Sequence, residues 1–547
     1  MALVQRFRHP GGLFLAAPLG LGVAYVVLLL LHLGGIVEAI YRTPDYASAP
    51  VIAQLFSAAH GARVVLGDNP WYTSLWFELL TRRLPFHREI WEVSPWIGAL
   101  VAIAIVAFAT AKVAGPAAGA LVVFVSGCAG PQPLMYEFGW TQHGPTVLPV
   151  CVLDGFLVLL VAREGCLGRR IVHVAACVVV AAVTAAAAAS DELLFVAGLV
   201  PFAVSGLCVA TVVGGRAGRR IGLTVVGIAA FAYAGSRVVI AAMEARNVYA
   251  TRFVISFASW GQLATNPRST LQGLAVLVNG DFGAGAINGR SLLRLACAIV
   301  LSAALVVVGR AGWSLLAEVA ARLDPNRQRH ESRFDARQIA HVLFWVVAIT
   351  TSLAALEFAN ITNAPSASRY LLSSTIGIVA IVAVATGRAG TLGRRAAVIG
   401  ACIIVAASAV GLAAGDLEQN GGHLPIASFA QTLAAYAAAA DLTKGYALYY
   451  DAPALTWEAN TRLQVYPVDP CGAPSGLCIY PYHVITNWYA PLPRVRTFLL
   501  IDPRYGPALS ALHLHGASRT VSLDGYTLLV FDYDIAADLG PPPPPLA

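Results

Sequence analysis

The chain has 547 residues, of which 58% are hydrophobic and 12% charged, with mean hydropathy +0.69 and a formal net charge of +7. Soluble domains carry about 25% charged residues, so a wholly water-facing protein is excluded. The positive charge reads as membrane topology rather than nucleic-acid binding, because no basic cluster is interleaved with aromatics.

Spans need roughly 20 apolar residues each. Eleven apolar segments fall near 13–37, 95–114, 116–130, 146–163, 171–189, 192–213, 221–243, 291–310, 338–357, 371–387 and 396–414. The third is interrupted by SGCAGPQP. The first is long and lacks a small-residue cleavage site, so it reads as an anchor and not a cleaved signal peptide.

Cytoplasmic loops carry excess Lys and Arg. Arg6 and Arg8, Arg163 to Arg170, Arg216 to Arg220, Arg322 to Arg337 and Arg388 to Arg395 all fall on one side of an eleven-span chain. That side is taken as cytoplasmic, with the N-terminus on it. The opposite face then holds 41–94, 131–145, the Ser190-Asp191-Glu192 turn, 244–290, 358–370 and everything after about 415. This places the chain as a multi-pass protein of a bacterial plasma membrane with its C-terminal part outside.

The organisation expected is a mainly α membrane domain over 1–414, with a long first external loop (41–94). A linker and amphipathic helix cover 415–440, a small α/β domain 441–538 and a Pro-rich disordered tail 539–547. Within the first loop, ASAPVIAQLFSAAHG and NPWYTSLWFELLTRRL place apolar residues at helical spacing. They read as helices along the bilayer interface, with Trp71, Tyr72, Trp76 and Trp91 at headgroup depth. Residues 247–278 read as a second interfacial stretch. In the C-terminal domain, YALYYDAP, LQVYPV and RTFLLIDP read as strands, and ALTWEANTR and ALSALHLHGA as helices. SRTVSLDGYTLLVFDY reads as a hairpin turning at Asp524-Gly525. His513 and His515, two apart on a helix, face different sides and do not form a ligand pair. The glycines of GDFGAGAINGR follow no strand and read as a loop, not a dinucleotide site.

Seven of the nine cysteines lie in or beside spans, while Cys471 and Cys478 sit close together in DPCGAPSGLCIY. A disulfide between them suits an oxidising exterior; a simple thiol pair is the alternative.

Asp45, in YRTPDYASAPVIAQLF just after the first span, is the leading catalytic candidate. A positioned carboxylate suits general-base chemistry; helix capping is its ordinary alternative. A first span, an external loop with an early Asp, two further helices and a return span resemble the GT-C superfamily of membrane glycosyltransferases. The run LGDNPWYTSLWFELLTRRLPFHREIWEVSPW resembles the corresponding segment in actinobacterial membrane proteins of that type. The resemblance implies Asp45 as base, a polyprenyl-phosphate sugar donor, a glycan, lipid or protein acceptor, and inversion at the anomeric carbon. Many members carry an acidic pair where this chain has Asp45-Tyr46, which leaves a divalent cation open.

A phosphate donor needs cationic forks. Arg369, with Tyr370, and Arg252 are the candidates, with snorkelling to lipid headgroups as their alternative. Glu137, His143, Asp191 and Glu192 gather on the same face as candidates for sugar binding or a cation, without any H-E-x-x-H spacing. Asp154 lies inside a span with no obvious partner. A transporter of lipid-linked saccharides and a non-catalytic envelope scaffold are the competing classes.

Overall fold

The computed structural model describes residues 10–56, 62–66, 71–139, 143–162, 170–250, 256–281, 288–323, 334–360, 366–417, 426–505 and 516–542. Arg252, Trp140, His513, His515 and most of the Pro-rich tail lie outside them. The protein is mainly helical with a small C-terminal sheet domain.

Among the described residues, nine helices are long and apolar enough to cross a membrane, or ten if one bent pair counts as a span. The eleven apolar segments all form helices, but two fall short of plain spans. The interrupted third is the bent pair, Pro116–Gly127 and Pro131–Phe138, meeting at 87°. Cys128 to Gly130 part the two halves, and a proline begins each helix, where its missing N–H costs nothing. The fifth is a shorter apolar helix over Val174–Ser190. The protein is thus a multi-pass membrane protein.

The chain forms two compact units. The first comprises residues 1–33, 93–239 and 255–416. Its core is built around the helix Ala336–Phe358, which packs against Val147–Ala162, Val200–Val213 and Leu372–Arg388. Buried polar groups tie these helices together. Asp154, fully buried, accepts from Trp345 Nε1 at 3.1 Å and pairs with His341 Nδ1 at 2.9 Å, and His341 Nε2 meets Thr110 Oγ1 at 3.1 Å. The expectation that Asp154 lacks a partner is therefore corrected. His341 and Trp345 are one turn apart on one helix face, and sequence alone does not show which helix faces Asp154.

The second unit comprises residues 34–92, 240–254 and 417–547. Its main sheet runs β5-β4-β3-β7-β9-β8, where β3 is Lys444–Leu448, β4 Gln464–Pro470, β5 Leu477–Ile479, β7 Thr497–Ile501, β8 Arg519–Leu523 and β9 Tyr526–Phe531. β4, β3 and β7 are parallel, and the helix Ala452–Glu458 makes the crossover from β3 to β4. β3 is buried throughout. Gly445 lies under the Phe498 ring, where a Cβ would come within 2.0 Å of it. Lys444 Nζ and Tyr446 Oη both donate to Asp534 at 2.7 Å, satisfying the buried charge. The expected hairpin is present: Leu523 pairs with Tyr526, and Asp524 and Gly525 take positive φ of 48° and 88°, as a type I′ turn requires.

A second, three-stranded sheet joins β1 (Val64–Leu66), β2 (Val248–Ala250) and β6 (Val484–Ile485), one strand from each segment of this unit. Of the two helices expected at the interface, the first is part of the unit's own core, while the second ends on exposed Leu79 and Leu80. Pro44–Phe56 is buried from Tyr46 to Ala53 and packs on Trp71–Thr81 and Ala452–Glu458. Tyr72 and Trp91 are buried. A helical stripe of apolar residues looks the same whether protein or lipid covers it. Trp260, at the start of the helix Trp260–Leu277 in the first unit, is by contrast 88% exposed, as an interfacial anchor needs.

Cys471 and Cys478 form the expected disulfide across the turn between β4 and β5. Closing so short a loop is worth about 2 kcal/mol by the chain-entropy relation. Replacing both cysteines by serine is expected to lower the domain's unfolding free energy by about that amount in a denaturant titration, with the wild type under reductant behaving alike.

Candidate functional site

Asp45 stands in the first turn of the helix Pro44–Phe56. The carbonyl of Thr43 accepts from the Tyr46 and Ala47 amides, so the helix begins ahead of Asp45 and not after it. Its carboxylate is half-buried and accepts a 2.7 Å hydrogen bond from Tyr449 Oη. Tyr449 directly follows β3, whose carboxyl end carries it to Asp45. Ser48 Oγ, one turn on from Asp45, lies 3.4 Å from the same phenol oxygen.

The Tyr449 ring stacks on Tyr480 at 4.2 Å and 5°, and on His483 at 5.6 Å. Burial, with the neighbouring Asp45 charge, holds the Tyr449 phenol well above its ordinary pKa, so it remains a proton donor to the carboxylate at neutral pH. Burial pushes His483 down to about 4, with Asp45 opposing only in part. His483 is therefore neutral at pH 7 and brings no counter-charge to Asp45.

A clamp sets the helix Ala452–Glu458 against the first segment of the same unit. Arg88 bridges Glu92 at 2.8 Å and Glu458 at 2.9 Å, and its guanidinium lies 5.1 Å from the Trp457 ring. Tyr41 stacks on the same Trp457 ring at 5.6 Å. Trp457, Trp488 and Tyr489 are buried and pack the core. Sequence reasoning did not find Tyr449, Tyr480 or His483. The one local signal is a cluster of tyrosines at a strand end, in YALYYDAP and CIYPYH.

On the expectation that Asp45 acts as a base, Tyr449→Phe is expected to lower kcat tenfold or more with KM nearly unchanged, since one hydrogen bond to a charged group is worth about 1.5–3 kcal/mol. Steady-state kinetics of the two proteins is the check, and an equal kcat removes Tyr449 from the site.

In the first unit the structure brings His143, Asp191, Arg369 and Tyr370 together. His143 adopts a left-handed conformation, φ 67°. Gly144 follows it because a Cβ there would meet the Tyr136 carbonyl oxygen at 2.0 Å. The imidazole Nδ1 pairs with Asp191 Oδ2 at 2.7 Å, and Asp191 also accepts from Thr146 Oγ1 and from the Leu193 amide at 2.9 Å. Burial by itself raises the Asp191 carboxyl, but these three contacts outweigh it and hold the group below its ordinary range. The His143 ring centroid lies 4.8 Å from that of Tyr370. Arg369 donates from Nη2 to Tyr370 Oη at 2.8 Å, and its Cζ is 4.8 Å from the Tyr370 ring centre.

Glu137 is buried on the helix that also carries Tyr136, whose hydroxyl meets Ser368 Oγ at 2.7 Å. Glu192 is exposed in its turn. Among the described residues no three His, Cys, Asp or Glu side chains group so as to hold a metal ion.

No family model and no curated protein matches the chain. It is similar to two solved structures of ArnT from Cupriavidus metallidurans. The one bound to undecaprenyl phosphate aligns at 12% identity over 94% of this chain and 99% of that one, with a TM-score of 0.46. The apo form aligns at 12% identity over 94% and 98%, with a TM-score of 0.45.

Proposed function

We propose that this protein is a membrane glycosyltransferase of the GT-C type. It moves a sugar from a polyprenyl-phosphate donor to a glycan, lipid or protein acceptor of the cell envelope, on the extracytoplasmic face. The observation that carries this reading is Asp45, a half-buried carboxylate in the segment after the first span, oriented by the Tyr449 phenol and facing a neutral His483.

In the reaction Asp45 takes the proton of the acceptor hydroxyl as its oxygen attacks the anomeric carbon. The bond from that carbon to the phosphate oxygen breaks, and its electron pair leaves with the lipid phosphate. Arg369, seated on Tyr370, stabilises that charge. Arg252 is assigned the same role from sequence. A single displacement inverts the anomeric centre, by the logic of inverting glycosidases. The disulfide of the C-terminal domain and the clustering of arginines in alternate loops support an exterior location for this chemistry.

The test is transfer from a panel of radiolabelled polyprenyl-phosphate sugars to cell-envelope acceptors by the purified protein. A second reading, a transporter of lipid-linked saccharides, draws on the 87° break between Pro116–Gly127 and Pro131–Phe138 and on the buried Asp154–His341 pair. Silence over the whole panel, together with movement of a lipid-linked saccharide across reconstituted vesicles, favours that reading instead.

A further inference from the structure

The base-only mechanism above makes no use of the buried His143. His143 is 5% exposed, and its Nε2 has no hydrogen-bond partner among the described residues. Leaving such an atom unpaired is costly, and the left-handed backbone at His143 adds strain. Asp191 is fully engaged in fixing the ring: it binds Nδ1 while Thr146 and the Leu193 amide hold the carboxylate still. The ring therefore carries a proton at Nδ1 and points Nε2 elsewhere. A turn residue recruited only to tie loops together needs neither the strain nor the orphaned nitrogen. The ring lies against Tyr370, which seats the Arg369 guanidinium, so the imidazole and a permanent cation share one tyrosine. That setting suits an anion with a proton to receive.

The geometry points to His143, oriented by Asp191, as the proton donor to the phosphate of the lipid-linked donor. This rests on the lipid-phosphate reading above and adds an acid to it. As the bond between sugar and phosphate breaks, the imidazolium Nε2–H passes its proton to the phosphate oxygen. The products are a protonated phosphate monoester and a neutral imidazole still bound to Asp191 through Nδ1. The acceptor's proton goes to the base of the proposed reaction, and the imidazole regains its own by exchange with water. His143 is the catalytic residue here and Asp191 a positioning residue.

The experiment uses the full chain in detergent, with undecaprenyl phosphate, inorganic phosphate and undecaprenol as probes. His143→Gln is expected to weaken undecaprenyl phosphate binding tenfold or more while leaving undecaprenol binding unchanged. The 31P resonance of the bound lipid supplies a readout that a structural role does not move. In wild type its titration midpoint is displaced from that of the lipid in micelles, and in His143→Gln and Asp191→Asn it returns toward it. Other groups bearing on that titration are Glu192 in the same turn, Tyr136 and Glu137 on the helix Pro131–Phe138, and Arg369 and Tyr370. An undisplaced midpoint in the wild type overturns the inference without recourse to any variant. Binding that is insensitive to His143→Gln overturns it while leaving the donor reading intact. Failure of the wild type to bind undecaprenyl phosphate at all sinks both, and inorganic phosphate binding as tightly as the lipid assigns the site to free phosphate instead.

Discussion

Replacing Asp45 by asparagine is expected to lower the transfer rate by about a thousandfold, the middle of the range for loss of a general base. Asparagine keeps the size of the side chain, and its carbonyl still accepts from the Tyr449 phenol. The fold around the helix Pro44–Phe56 is therefore preserved, and the lost property is basicity. Donor and acceptor KM should change little, because the proton is taken only in the transition state. Wild type and Asp45→Asn are to be compared with the same donor, alongside their melting curves. Equal rates in two folded proteins leave Asp45 as a first-turn acidic residue whose charge complements the helix dipole, and the assignment of the base falls with it.

The second large effect concerns stability. Asp154→Leu removes the carboxylate that serves both His341 and Trp345 at the centre of the first unit. Leucine fills the volume but leaves the two ring N–H groups without an acceptor where no water reaches. Breaking a buried pair from one side costs about 3–5 kcal/mol, so the variant should unfold at markedly lower denaturant or temperature in detergent. Replacing both partners by apolar residues is close to neutral in comparable pairs. Asp154→Leu with His341→Leu should therefore recover much of the loss. A single variant as stable as wild type shows that the pair does not hold the bundle. A single variant that unfolds early, with a double variant no better, shows that Trp345 is the costly orphan.

What the sequence discloses is what is written locally. Apolar runs of span length and the Asp524-Gly525 turn each need a window of a few residues to be read, and the Cys471–Cys478 pair is seven residues apart. The strands β1, β2 and β6 are only two or three residues long and lie hundreds of positions apart, so no periodicity exists to detect them. The same holds at the site. Asp45 stands out because it follows a span, but Tyr449 is 404 residues away and is recognisable only once the sheet has placed it. His143 and Asp191 were legible as polar residues at span ends. That one orients the other depends on the turn at Gly144, which the pattern does not reveal. Asp154 has several titratable groups in other spans to choose from, among them His32, Lys112, His173, Arg237 and Arg294, and only the packing of the helices selects His341.

The second unit is threaded from three stretches of chain, and the last of them begins at residue 417. During synthesis Asp45 is made early, yet the phenol that orients it emerges only after most of the membrane helices have been laid down. β1 likewise waits for β2 and then for β6 before its sheet is complete. A chain that stops anywhere before Tyr449 thus leaves Asp45 without the phenol that holds it and β1 without its full sheet, so the second unit is completed only when its last stretch has been made.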